Sequence, residues 1–252
     1  MIDRPAVQTL DDVAEEGQRL ATLAREAKLP LRLLGGVAVW CQCPAARVPP
    51  LARSYGDADF LGRAGDRKRI TAFMEQQGYE ADRMFNALHG ATRLNFHDSL
   101  RDRPIDVLLD RFVMAHQLDL RHSSSSDGLT ISLADLLLTK LQVVNINEKD
   151  VRDLLALLID HGFGPEEIST ERILAVTQND WGLEHTIHHS LATLRQMLGG
   201  FALGPHEAES VLSRISELDG LLNAAPKGAK WKVRARIGER KRWYEEPEEA
   251  RT

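Results

Sequence analysis

What constrains this chain most is a change of hydrophobic period partway along it. Up to about residue 109 apolar residues come in short runs or alternate with polar ones, and beyond residue 133 they recur near helical spacing. Residues 31–34, 57–61, 92–97 and 104–109 read as strands, since neighbouring strand residues point to opposite faces. Helices are predicted over 11–28, where Asp11 can cap the start, and over 67–77, stopped by Gly78. Later helices are predicted over 133–144, 150–161, 171–177, 183–198 and 206–218. The expected class is therefore α/β in the α+β sense: a mixed sheet flanked by helices, followed by a helical C-terminal region. The serine run Ser123 to Ser126 marks a boundary. It gives an expected core over 1–125, a helical region over 126–225 and a basic aromatic segment over 226–252.

At 252 residues, 43% apolar and 27% charged, the chain can bury a proper core and has ordinary globular usage. No apolar run is long enough to span a bilayer, so no membrane partner is expected. The start is acidic (Asp3, Asp11, Asp12, Glu15, Glu16) and lacks a signal-peptide pattern, which predicts a cytoplasmic protein with reduced cysteines. Cys41 and Cys43 are too few soft ligands for a tetrahedral zinc site and are read as small hydrophobes. A net charge of −5 gives no global attraction to nucleic acid.

Asp57 and Asp59 are two apart on a predicted strand, so both carboxylates leave one face while Ala58 and Phe60 leave the other. Like charges so close repel unless a cation joins them, and carboxylate oxygens suit magnesium, which also binds phosphates. Asp106, between Ile105 and Val107, can supply a third carboxylate from another strand. Gly35-Gly36 follows an apolar strand directly, where backbone N–H groups can approach phosphate oxygens with no side chain in the way. An Asp-x-Asp pair alone is commonly a solvated strand edge, and a glycine pair alone a turn. Their succession, closed by Ile105-Asp106-Val107, is what points to phosphoryl or nucleotidyl transfer.

With Leu34-Gly35-Gly36, Asp57-Ala58-Asp59 and Asp106 in this order, the chain resembles the polymerase β-like nucleotidyltransferase superfamily. The resemblance covers about residues 31–160. It implies that the glycines hold a nucleoside triphosphate whose nucleoside monophosphate passes to a hydroxyl acceptor. Magnesium, as two ions for which manganese can substitute, would sit on Asp57, Asp59 and Asp106, with Asp106 orienting or deprotonating the acceptor. One departure is the twenty residues between Gly36 and Asp57, more than the superfamily usually has, with Pro44, Pro49 and Pro50 suggesting an inserted loop. Residues 133–141, containing Lys140, and 148–154, containing Lys149, Asp150 and Asp153, look like segments of abortive-infection toxin-type nucleotidyltransferases. That narrower resemblance implies a possible RNA acceptor and an antitoxin-like partner. A catalytically silent nucleotide-binding relative and a small-molecule adenylyltransferase of the antibiotic-modifying kind are the competing readings.

Lys140 falls inside the apolar stripe of Leu133, Leu136, Leu137, Leu141 and Val144, where a charge needs a partner or must snorkel to water. A triphosphate or Asp150 would be such a partner. Asp150 and Asp153 lie off the next helix's buried stripe and either hold a base in place or are surface acids at a helix start. Arg53 and Arg93 accompany the carboxylate strands and can fork onto phosphate, though surface arginines are common. His185, His188 and His189 lack a metal motif and read as a polar helix face. Residues 227–244 interleave Lys and Arg with Trp231, Trp243 and Tyr244. They suit RNA contact, or, since Trp231, Val233, Ala235 and Ile237 alternate, a packed C-terminal strand.

Overall fold

A computed structural model of the chain describes residues 9–123 and 128–246. Ser124 to Ser126, Asp3, Glu248 and Glu249 lie outside the described residues. The chain divides into two compact units. The first takes the chain up to Gln42, then Ser54–Phe112 and Asp119–Ile131; the second takes Cys43–Arg53, Val113–Leu118 and Ser132 onward.

The first unit is built on a five-stranded mixed sheet of order β1-β2-β5-β4-β3. Its strands are β1 (Arg32–Leu34), β2 (Ala58–Gly62), β3 (Glu80–Ala81), β4 (Arg93–Asp98) and β5 (Arg103–Leu109). β2 and β5 run parallel, and the other neighbours are antiparallel. Alternation sends Leu33, Phe60, Leu94, Phe96, Ile105 and Val107 to one buried face, as the strand pattern in the sequence predicts. Helices α1 (Val13–Glu26) and α2 (Gly35–Gln42) pack on β1 and β2, and α3 (Arg67–Gln76) and α4 (Arg83–His89) pack on β3 and β4. α1 is capped by Asp12, one residue later than the sequence suggests, through bonds from the Ala14 and Glu15 N–H groups. Gly17 lets α1 come in close: a Cβ there would stand 2.9 Å from Val37 and 3.2 Å from Leu33.

Two expectations are corrected in this unit. The segment after Gly36 is not a loop throughout, because residues 35–42 are helix α2. The glycines are poor helix formers, but they occupy the first turn, where N–H groups have no intrahelical partner anyway. α4 was absent from the expected elements; at seven residues it is too short to show a helical period, and although four of those residues are apolar none is buried, Met84 and Leu88 being 78% and 75% exposed. β6 (Arg111–Val113) and β7 (Gln117–Asp119) form a separate two-stranded ribbon.

The second unit is helical: α5 (Leu133–Leu141), α6 (Glu148–Asp160), α7 (Thr170–Thr177), α8 (Trp181–Met197), α9 (Pro205–Ala224) and α10 (Ala229–Ile237). Five of these six starts are written locally. Ser132, Ser169 and Asp180 cap α5, α7 and α8, Asn147 and Asp150 form a capping box on α6, and Pro205 opens α9. The strand expected near the C-terminus is instead α10. Trp231 is half-buried while Val233 and Ile237 are 61% and 42% exposed, so the alternating residues do not share one buried face. Trp231 Nε1 donates to Glu184, and the Arg234 guanidinium lies 4.8 Å from the Trp181 ring centroid, which docks α10 on α8.

Candidate active site

Strand register builds a row of side chains across the first unit. Leu34 of β1 pairs with Asp59 of β2, Asp59 with Asp106 of β5, and Asp106 with Asn95 of β4. Residues in register on adjacent strands leave the same face, so Asp59, Asp106 and Asn95 stand side by side. They leave the face opposite Phe60, Val107 and Leu94. Asp57 stands exposed immediately before β2.

At one end of the row Gly35 begins α2 with a φ of +70°, a conformation that favours glycine. A Cβ built there would be 2.8 Å from Asp59 Oδ2, so the carboxylate lies in the space that any other residue would fill. Gly35 and Gly36 thus bring bare backbone and the positive end of α2 up to Asp59, which favours negative charge nearby.

At the other end Asp106 is closely held. Arg93 Nε donates to Asp106 Oδ1 at 2.9 Å, Arg93 Nη2 donates to Oδ2, and Asn95 Nδ2 donates to Oδ1 at 2.9 Å. Both in-plane lone pairs of Oδ1 are thereby used and one remains on Oδ2. The hydrogen bonds from Arg93 to Asp106, opposed by burial and helped by the charges of Asp106 and Asp59, hold the guanidinium's pKa above its ordinary value. Among the described residues no group of three or more His, Cys, Asp or Glu side chains is gathered as a metal cluster. The expected three-carboxylate set is therefore not formed as such: Asp57 is exposed and Asp106 is engaged by Arg93 and Asn95. The all-oxygen chemistry of Asp57 and Asp59, beside the space left by Gly35, does fit a hard divalent ion.

Asn95 was missed in the sequence. Its N–H donates to Asn86 Oδ1 at 2.7 Å, and Asn86 Nδ2 donates to Asn95 O at 3.0 Å, so α4 grips β4 beside Asp106. The signal available was alternation, because Arg93, Asn95 and His97 are the polar positions of β4. An open groove of about 480 Å³ between α3 and α4 is lined by Leu94, on the other face of β4, and is distinct from this row.

The remaining predicted residues belong to the second unit. Lys140 Nζ lies 2.7 Å from Asp153 Oδ2 and 3.3 Å from Asp150 Oδ1, and Arg53 donates to Asp153 from Nε at 3.0 Å and Nη2 at 2.9 Å. Two cations thus meet two carboxylates and tie α5, α6 and the 43–53 segment together. Burial pushes the Lys140 pKa down, but Asp153 and Asp150 outweigh it and the net direction is up. Of the two roles open to Asp150 and Asp153, the geometry shows the holding of Lys140. Lys149 is exposed in the first turn of α6. His188 is no solvated residue: Nδ1 lies 2.7 Å from Asp219 of α9, and Nε2 3.7 Å from Glu184. His185 stacks on Trp181 with ring centroids 4.7 Å apart, while His189 is exposed. Cys43 is buried, and burial pushes its thiol pKa up; Cys41 is half-buried.

No family model matches the chain, and no curated protein matches it. Among solved structures, it is similar to the crystal structure of lincosamide antibiotic adenylyltransferase LnuA in its lincomycin-bound form. The two are 16% identical, with a TM-score of 0.41, over 57% of this chain and 96% of that one. No helix among the described residues is long and apolar enough to cross a membrane.

Proposed function

We propose that this chain is a metal-dependent nucleotidyltransferase of the polymerase β-like type, moving a nucleoside monophosphate from a nucleoside triphosphate to a hydroxyl acceptor. The observation that carries the reading is the row itself: a glycine-opened helix beside Asp59, with Asp106 in register on the neighbouring parallel strand. The ordered motifs in the sequence and this register are independent features, and both suit one task.

In this reading Gly35 and Gly36 present N–H groups to phosphate oxygens at the start of α2. Asp57 and Asp59 hold the divalent ion, which supplies charge neutralisation at the phosphates when bound. Arg93 adds a guanidinium on the same face as Asp106 and Asn95, and Lys140 with Asp150 and Asp153 braces the helical unit. RNA is the proposed acceptor class, because Lys230, Lys232 and Arg236 of α10 are exposed and side by side with Val233 on its outer surface.

The test is incubation of the full chain with each labelled nucleoside triphosphate, magnesium and either total RNA or a panel of small hydroxylated compounds. The comparison is the Asp57→Asn, Asp59→Asn double variant, in which transfer is expected to vanish while the fold persists. Label in RNA from wild type alone supports the whole reading, and label in a small compound alone keeps the chemistry and removes RNA. Equal turnover by wild type and double variant sinks the assignment.

A further inference from the structure

We infer that Arg93 is a phosphate-binding fork whose orientation is set by Asp106 and Asn95, so that Asp106 serves the triphosphate through Arg93. This rests on the nucleotidyltransferase reading and assigns within it a role that the motif alone does not give.

Four observations carry the inference. One edge of the guanidinium, Nε and Nη2, is fixed on the two oxygens of Asp106, and the side chain remains 43% exposed. Among the described residues Nη1 has no partner, so the other edge of the fork points away from Asp106 with its donors unspent. A guanidinium fixed along one edge loses less freedom when the second edge meets a phosphate, which is how an oriented arginine gains over a loose one. Asp106 is in turn kept from swinging by Asn95 Nδ2, and Asn95 is fastened on both backbone groups by Asn86 of α4. The Phe85 ring of the same helix lies 5.7 Å from the Arg93 guanidinium carbon and supports its flank. Asn86, Asn95 and Asp106 are thus positioning residues for Arg93, and with three of its four lone-pair sites occupied Asp106 is poorly disposed to act as a further metal carboxylate.

The sign of one substitution separates this from a plain electrostatic role. Deleting the negative charge of Asp106 would, by charge alone, strengthen binding of an anion nearby. The inference demands the reverse, since Arg93 loses the group that aims it.

The experiment is calorimetric titration of the full chain with inorganic tripolyphosphate in EDTA, where no metal bridges anion and carboxylates, and in parallel with ATP and magnesium. Arg93→Gln is expected to weaken tripolyphosphate binding by about tenfold or more, the scale of one charge-assisted hydrogen bond. Arg93→Lys, which keeps the charge and loses the fork, should fall between. Asp106→Ala should also weaken it, and Arg93→Gln with Asp106→Ala together should lose no more than Arg93→Gln alone. Melting curves confirm that Asp106→Ala is folded, and Asn95→Ala provides a second, milder break in the same chain of contacts. Unchanged or tighter tripolyphosphate binding by folded Asp106→Ala, or additive losses in the double variant, overturns the inference. If wild type and Arg93→Gln bind ATP with magnesium equally well, the transferase reading stands and this inference falls. If wild type binds neither probe, both fall.

Discussion

At Gly35 the backbone holds a φ of +70° and a Cβ would stand 2.8 Å from Asp59 Oδ2, so two separate penalties meet on one atom. The conformation costs a non-glycine residue about 1–3 kcal/mol, and the added methyl also pushes the Asp59 carboxylate from its place. Gly35→Ala is therefore expected to melt lower than wild type and to lose magnesium-dependent ATP binding more than stability alone explains, read by melting curves and calorimetry together. Wild-type affinity in a Gly35→Ala protein would show that the approach of Gly35 to Asp59 does not matter to the site. The same residue marks how far the sequence could be read. Gly35, Asp57, Asp59 and Asp106 could be picked out as candidates because chemistry concentrates in few residue types. The grip of Arg93 and Asn95 on Asp106 could not, because it follows from the pairing of β4 with β5 in a register that spacing alone does not reveal.

Among the elements, α5 and α6 are joined by charge as well as by apolar packing. Lys140, Asp150, Asp153 and Arg53 balance, and removing one member strands the others in a region where Asp153 is almost wholly buried. Lys140→Met is expected to cost about 3–5 kcal/mol of unfolding free energy, as broken buried pairs do, measured by denaturant titration. A loss below about 1 kcal/mol, the range of a surface pair, would return Lys140 to the triphosphate role that its place in the apolar stripe also allows. Since the folded-state pKa of Lys140 is raised above its usual 10.5, its contribution is complete below that pH and disappears as pH climbs through the higher folded value. A second tie runs from α9 to α8 and the segment before α10 through Asp219, His188, Glu184 and Lys227, with Lys227 Nζ 2.6 Å from Glu184 Oε2. The nearby Glu184 carboxylate, opposed by burial and aided by the hydrogen bond to Asp219, raises the His188 pKa above 6.5. That stabilisation is present in full below pH 6.5 and is lost as pH rises through the raised value. Melting temperature should thus fall from pH 6 toward pH 9 more steeply in wild type than in His188→Gln; parallel profiles would remove His188 from the tie. Helix α10 shows why elements can mislead in sequence: its apolar residues alternate, but packing on α8 uses Trp231 and Arg234 and leaves Val233 in solvent.

Over the whole molecule, the mixed sheet with its flanking helices and the later helical run were readable from hydrophobic period, since burial imposes that period on strand and helix alike. The assignment of residues 43–53 to the helical unit was not, because their neighbours are α6 side chains: Ala45 N–H donates to Asp160, Arg152 to Pro50 O, and Arg53 to Asp153. The span that looks like one insertion between Gly36 and Asp57 is thus part helix α2 in the first unit and part strap on the second. Ligand that binds only the folded protein raises its stability by about 2.7 kcal/mol at a hundredfold excess over Kd. Magnesium with the correct nucleoside triphosphate should accordingly raise the melting temperature of wild type and leave that of the Asp57→Asn, Asp59→Asn variant where it was; equal shifts in both would place nucleotide binding elsewhere. The most direct measurement of the central claim is release of pyrophosphate from nucleoside triphosphate by the purified chain in the presence of RNA. Release is expected to require magnesium, to be matched by label in the acceptor and to be lost in Asp57→Asn, Asp59→Asn. Undiminished release by that variant would contradict that claim.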